Sequence, residues 1–236
     1  MSASTSPGYG HKGAAVMELL GAMQGQLGRL YDVELPQDVR DYVVTDRHLL
    51  AMLLAGAPCR SSDEQLIVVE GGDAVDLALY LDAEVLARLA SADPRASLSG
   101  ANLADFWTVL EGISHFHYLA WNAALDKPVT LLELEMQAEV DKYVSTRLLL
   151  EDQPAATLGA PLLQRLFDDP ALDPQLDAEE IDRYQAASTF AGRYCANLEA
   201  SFPSTAITPD LLRELRTFYR LPQTAKIARI RARGFA

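Results

Sequence analysis

The sequence predicts a mainly α protein, a multi-helix assembly with one β-hairpin at about residues 65–81 packed on it. Apolar residues recur at three- and four-residue spacing along most of the chain, which indicates amphipathic helices. A single segment alternates with the two-residue period of a strand. No apolar run reaches the roughly 18 residues that a membrane span requires, so we expect no membrane contact.

The first predicted helix runs from about Gly13 to Tyr31. Its apolar stripe consists of Val16, Leu19, Leu20, Met23, Leu27 and Leu30. Residues 1–12 lack the pattern of a signal peptide, and we expect them to form a disordered lead-in. A short helix follows "VELPQD", with Thr45 as its candidate N-cap and Gly56 as its end.

The β-hairpin is predicted from two β-rich runs, Leu66–Val69 and Val75–Leu81, on either side of the turn sequence "EGGDA". Apolar and other residues alternate in the second run, which is typical of a strand with one buried face. Because an isolated hairpin is marginally stable in water, it must pack on helices or pair with a partner's strand. Asp82 is the expected N-cap of the next helix.

The remainder of the chain is predicted to be helical and to begin its helices at recognisable caps. The expected caps are Asn102, a T-x-x-E box at Thr130 and Glu133, a similar box at Asp177 and Glu180, and Thr208 followed by Pro209. We expect residues 13–221 to form one α-rich domain, with a possible subdomain break at about 151–176. Residues 222–236 are predicted to form a basic C-terminal helix or tail.

Charge is unevenly distributed along the chain. The net charge of −13 disfavours general nucleic-acid binding, because phosphates would be repelled over most of the surface. The C-terminal segment is cationic, however, and its basic residues are candidates for contacts with an acidic partner or with a second copy of the chain. These partner-binding candidates are Arg220, Lys226, Arg229, Arg231 and Arg233.

Two helices joined by a short turn carry the candidate site. Glu111 and His115 lie on one stripe of the first helix, which is otherwise largely apolar. Glu135, Glu139 and Lys142 lie on a stripe of the second. The short turn makes the helices antiparallel neighbours, and counting outward from it sets His115 beside Glu139 and Glu111 near Lys142 or Tyr143.

The paired stripes have two interpretations. In the first, they form an interhelical polar seam in which Glu139 bonds His115 and Glu111 pairs with Lys142, as buried charges require. In the second, Glu111, His115, Glu135 and Glu139 form a metal or acid–base site suited to iron, manganese or zinc. Lys142 counts against a metal ion, because its ammonium group would compete with the ion.

These features rank three functions. The first is a non-catalytic accessory protein that works through a helical surface and the basic tail, either in a complex with another protein or as a homo-oligomer. The second is a helical-bundle metalloprotein or metal-dependent enzyme, and the third is a nucleic-acid-associated adaptor using the tail. Cys59 and Cys195 do not suggest a disulfide framework, so we expect the reducing cytoplasm.

Overall fold

The computed structural model describes residues 8–54, 62–71, 74–168, 176–203 and 206–233. Over these ranges the chain is mainly helical, as predicted, and none of the described helices is both long and apolar enough to cross a bilayer. The helices are α1 (Gly8–Tyr31), α2 (Arg47–Leu53), α3 (Ala83–Ser91), α4 (Leu103–Ala123), α5 (Leu131–Asp152), α6 (Leu162–Phe167), α7 (Ala178–Ser201), α8 (Pro209–Tyr219) and α9 (Gln223–Arg233).

The predicted hairpin is present, but it belongs to a three-stranded mixed sheet. Strands β2 (Glu64–Gly71) and β3 (Ala74–Leu81) pair antiparallel, and β1 (Val43–Val44) pairs parallel with the other edge of β3. The strand order is therefore β1-β3-β2. The prediction of a single hairpin missed β1 because two residues are too few to show an alternating pattern.

Two boundaries near the N-terminus differ from the prediction. Helix α1 begins at Gly8, so residues 8–12 of the expected lead-in are helical, while residues 1–7 lie outside the described residues. Helix α2 is capped by Asp46 and not by Thr45, because the Asp46 carboxylate accepts a 2.7 Å hydrogen bond from the backbone N–H of His48. The predicted end at Gly56 falls outside the described residues.

The sheet lies between two helices. Its inner face contributes the fully buried Leu79 and Leu81 to the main core, and both strands of the hairpin contact α4. Its outer face carries Ile67 and Tyr80, which pack with Leu50 of α2 in a separate small cluster. Helix α4 also packs on α5, and α5 packs on α7, so the hairpin is one layer away from the centre of the helical assembly.

The other predicted caps are largely confirmed. Side-chain oxygens accept the expected backbone N–H groups at the N-caps Asp82, Thr130, Asp177 and Thr208. The box at Thr130 is only half formed, because the Glu133 carboxylate turns inward to accept bonds from the Tyr118 hydroxyl and the backbone N–H of Gln223. Asn102 makes no side-chain cap and instead donates to the carbonyls of the preceding loop.

Gly112 allows the hairpin to approach α4 closely. A Cβ atom at this position would lie 2.7 Å from Cγ of Glu64 and 2.9 Å from Cδ1 of Leu79. Both distances are shorter than van der Waals contact, so any side chain here would force the side chains of Glu64 and Leu79 to shift. The absence of a side chain at Gly112 therefore fixes how Glu64 reaches the α4 surface.

We expect Gly112→Ala to lower the free energy of unfolding by about 1–3 kcal/mol, because the steric cost exceeds the gain in helix propensity. Urea denaturation measures the change. Gly13→Ala in α1 is the matched control, since a Cβ there meets nothing within 4 Å, and it should be neutral or stabilising. Equal stability of Gly112→Ala and the wild type would contradict the close packing of hairpin and helix.

Candidate functional site

Ionisable side chains from three elements meet where β2 lies against α4 and α5. The imidazole of His115, on α4, lies between two carboxylates and is almost completely buried. Its Nδ1 is 3.5 Å from Oε1 of Glu64, on β2, and its Nε2 is 3.4 Å from Oε2 of Glu135, on α5. The candidate site thus combines the two predicted helices with a strand residue that the sequence analysis did not include.

Lys142 organises the second half of this cluster. Its Nζ is 2.6 Å from Oε2 of Glu111, the contact that the sequence predicted, and 2.9 Å from Oε1 of Glu139. The predicted pairing of His115 with Glu139 is wrong. The ammonium group binds Glu139, which leaves Glu135, one helical turn earlier, as the α5 carboxylate facing His115.

Two buried atoms at this site have no hydrogen-bond partner among the described residues. They are Oε1 of Glu64 and Nε2 of His115. The contacts of His115 with Glu64 and Glu135 are at ion-pair distances and do not form hydrogen bonds. Since buried polar atoms in folded proteins are nearly always satisfied, the polar seam is incomplete as a purely protein structure.

The residues whose geometry fits a single cation are Glu64, Glu111 and His115. One ligand atom from each lies within 4.8 Å of the others. Atoms that bind one tetrahedral ion at about 2.0–2.2 Å are about 3.3–3.6 Å apart, so a contraction of up to about 1.5 Å would complete the site. The predicted ligand set is therefore corrected: Glu64 joins it, Glu139 leaves it for Lys142, and Glu135 lies on the opposite side of the imidazole.

The candidate site carries more negative than positive groups. Four carboxylates (Glu64, Glu111, Glu135 and Glu139) face two cationic groups, Lys142 and the protonated form of His115. Burial raises the pKa of Glu64, despite the opposing attraction of His115, and burial likewise raises the pKa of Glu139. A further cation or proton would stabilise this group of carboxylates.

The pKa values of His115 and Glu111 shift in the directions that strong ion pairs produce. Burial alone would lower the pKa of His115, but Glu135 and Glu64 outweigh it and hold the pKa well above its ordinary value. Burial opposes ionisation of Glu111 too, yet Lys142 and His115 lower the pKa of its carboxyl group. The shift of its pKa thus favours the ionised form of Glu111.

A second polar cluster lies deeper in the molecule and includes Lys226. This residue was predicted to be a partner-binding cation of the tail, and the prediction is wrong because Lys226 is completely buried. Its Nζ donates to the Tyr118 hydroxyl at 3.0 Å and to Oε1 of Gln137 at 2.8 Å. The ammonium also lies 4.4 Å from the centre of the Tyr118 ring. Helix α9 is thus anchored by a core residue.

Asp141 is the acidic centre of this second cluster. It accepts a hydrogen bond from Ser114 Oγ at 2.6 Å, one from Gln137 Nε2 at 2.9 Å, and one from the Tyr31 hydroxyl. Burial raises the pKa of Asp141 to about 6 even though these bonds favour its charged form, and burial lowers the pKa of Lys226 to about 7. The cluster joins α1, α4, α5 and α9 by polar contacts.

The other candidate cations of the C-terminal segment are placed differently from Lys226. Arg229 forms two bonds with the buried Glu214, at 3.0 and 2.6 Å. Arg220 is exposed but donates to the carbonyl of Asp32 at 3.1 Å, just beyond the end of α1. Arg231 is exposed, and the side chain of Arg233 lies outside the described residues.

The other two histidines whose side chains the structure describes do not join the site. The buried His117 has its Nδ1 2.9 Å from the Tyr219 hydroxyl, and burial lowers its pKa to about 4, so its imidazole is neutral at pH 7. His48 is exposed at the start of α2. Comparisons with protein-family models, with curated proteins and with solved structures gave no match.

We expect Lys226 to make a contribution to the free energy of unfolding that increases between pH 7 and pH 9. Its pKa is about 7 in the folded state and 10.5 when unperturbed, so the unfolded chain binds more protons in this range and unfolding becomes harder as pH rises. Relative to Lys226→Met, the wild type should gain about 1–3 kcal/mol across this window.

Urea denaturation at several pH values measures this gain. Asp141, with its pKa near 6, has completed its titration below the window and adds little to it. The exposed Lys127→Met is the matched control and should follow the wild-type curve. Parallel curves for wild type and Lys226→Met would contradict the burial of a lysine with a lowered pKa.

Proposed function

We propose that the protein binds one divalent transition-metal ion through Glu64, Glu111 and His115, and that its function depends on this ion. The observation that carries the proposal is the unsatisfied buried Oε1 of Glu64, which lies where the three potential ligands Glu64, Glu111 and His115 converge. A metal bound at Nδ1 of His115 would use Glu64 and Glu111 and leave Nε2–H to Glu135.

The chemistry of the ligands narrows the choice of ion. One imidazole and two carboxylates suit zinc, manganese or iron, whereas a soft ion such as copper(I) prefers sulfur ligands. Three protein ligands leave at least one coordination position for water or a substrate. The side chain of Glu111 is 21% exposed, so this position is close to the surface. An open coordination position near the surface makes this arrangement suitable for a metal-dependent reaction.

Two further residues support the ligands in this proposal. Glu135 faces Nε2 of His115, and a carboxylate in that position fixes the tautomer and orientation of a metal-bound imidazole. Lys142 binds Oε2 of Glu111 and leaves the other carboxylate oxygen for an ion. The lysine therefore orients Glu111 and offsets part of the surplus negative charge. It competes with a metal ion only for Oε2 of Glu111.

We expect protein purified without a histidine tag to bind one equivalent of Zn²⁺ or Mn²⁺ in isothermal titration calorimetry. His115→Ala should abolish this binding, because it removes the only nitrogen ligand. Glu135→Gln should weaken it by about 10–100-fold, as is typical for a residue that orients a metal ligand.

Glu139→Gln is the matched control for the metal titration. It changes a partly buried carboxylate of the same cluster that contacts Lys142 and no proposed ligand, so the variant should keep one binding site. Melting temperatures measured in parallel show whether each variant is folded. A folded wild type that binds neither ion, or unchanged binding by folded His115→Ala, would refute the proposal.

A non-catalytic accessory role in a cytoplasmic protein complex is our second proposal. What supports it is that Arg213 on α8 and Arg231 on α9 are exposed cations, although Arg213 pairs with Asp210 of its own helix at 2.6 Å and Arg231 lies over the Phe190 ring. Such a surface favours an acidic partner, and the net charge of −13 disfavours nucleic acid. The buried free thiol of Cys195 is compatible with a reducing compartment, while Cys59 lies outside the described residues.

We expect Arg213→Glu combined with Arg231→Glu to reduce co-purification of a native partner at least tenfold, because charge reversal repels an acidic surface. Arg165→Glu, at an exposed position of α6, is the matched control and should have no effect. Quantitative mass spectrometry of tag-free preparations measures the loss. Retention of the same partner by the double variant would exclude this surface.

A further inference from the structure

We infer that the proposed metal site controls the order of the edge strand β2, so that metal binding tightens the attachment of this strand to α4. The inference rests on the proposed function, because it assigns a structural response to the same ion. It arises from the position of Glu64, which is the only one of the three proposed ligands that lies outside α4.

On the side that faces α4, strand β2 has few other side-chain attachments, while Ile67 on its opposite face packs with Leu50 of α2. The strand is an edge strand, and Glu64, Leu66 and Val68 alternate on the face that is turned toward α4. Leu66 packs partly against the main core, whereas Val68 is 45% exposed. Among the side chains described on this strand, Glu64 is therefore the main polar link to the helical assembly, and its Oε1 has no hydrogen-bond partner.

Strand β3 is attached in a different way. Leu79 and Leu81 are both fully buried in the main core, and β1 pairs along its other edge. Its docking is therefore independent of an ion at Glu64. A metal-dependent change is expected in β2 and in the hydrogen bonds that β2 forms with β3, while the core side of β3 and the distant helices keep their packing.

An ion would replace a loose contact with two coordinate bonds. Oε1 of Glu64 is 3.5 Å from Nδ1 of His115, and both atoms would bind the same ion. Gly112 permits the approach, because a Cβ there would lie 3.1 Å from the same Glu64 oxygen. An ion that binds with all three ligands only when β2 is docked shifts the equilibrium toward the docked strand.

The size of the shift follows from this linkage. At a free metal concentration of about 100 times Kd, the population of the undocked strand should fall by up to about a hundredfold. The fall is smaller if Glu111 and His115 keep some affinity for the ion when Glu64 has left. Backbone amide exchange of β2 should slow by the same factor, because those amides exchange through local opening.

Hydrogen exchange measured by mass spectrometry on the full tag-free chain tests the inference. Zn²⁺ at about 100 times Kd is compared with a chelator, for the wild type, Glu64→Gln and Asp76→Asn. Glu64→Gln removes the strand ligand and is nearly isosteric, and it is titrated until Glu111 and His115 are saturated. Asp76→Asn removes an exposed carboxylate from the same hairpin and serves as the control.

The expected result is slower exchange in peptides covering residues 64–68 when Zn²⁺ is added to the wild type or to Asp76→Asn, with no slowing in Glu64→Gln. If calorimetry shows that wild type binds Zn²⁺ but β2 exchange does not change, the inference is wrong and the proposed function stands. If the wild type binds neither Zn²⁺ nor Mn²⁺, the proposed function itself fails. Equal slowing in the wild type and in Glu64→Gln would also overturn the inference.

Discussion

The requirement that buried charge be partnered governs the arrangement of elements around α4 and α5. These two helices are mainly apolar, yet they bury His115, Glu135, Asp141 and Lys142 at their interface. Burying an unpaired charge costs several kcal/mol, so each group needs partners supplied from neighbouring elements. On one side β2 supplies Glu64, and on the other side α1 supplies a tyrosine hydroxyl and α9 supplies a lysine. Polar contacts thus hold three peripheral elements against α4 and α5.

The two polar clusters meet this requirement to different degrees. Asp141 accepts three side-chain hydrogen bonds, and Lys226 has two hydrogen-bond acceptors and an aromatic face. That cluster is complete within the protein and explains why α9 belongs to the core. The cluster at His115 has more carboxylates than cations and leaves two buried atoms without a partner among the described residues. This difference is the reason for assigning a structural role to the first cluster and a ligand-binding role to the second.

Much of the architecture could be predicted from local sequence patterns, and most of the site could not. Helix periodicity and caps located most of the helices, and alternation located the hairpin, because those signals depend on residues a few positions apart. The contact of Glu111 with Lys142 followed from antiparallel counting. Glu64 was missed because its approach to α4 depends on tertiary packing at Gly112. Lys226 was wrongly predicted to be exposed because it lies in a basic segment of the sequence. Its hydrogen bonds to Tyr118 and Gln137, which are distant in the sequence, become known only from the fold.

The central claim is that the imbalance at His115 is resolved by a metal ion, and diffraction can test it directly. Crystals grown with Zn²⁺ should be measured on both sides of the zinc absorption edge. The account predicts one strong anomalous peak about 2.0–2.2 Å from Nδ1 of His115 and from a carboxylate oxygen of Glu64 and of Glu111. Density in which His115 donates short hydrogen bonds to both Glu64 and Glu135, with no anomalous peak between them, would contradict the account and leave a closed polar seam in its place.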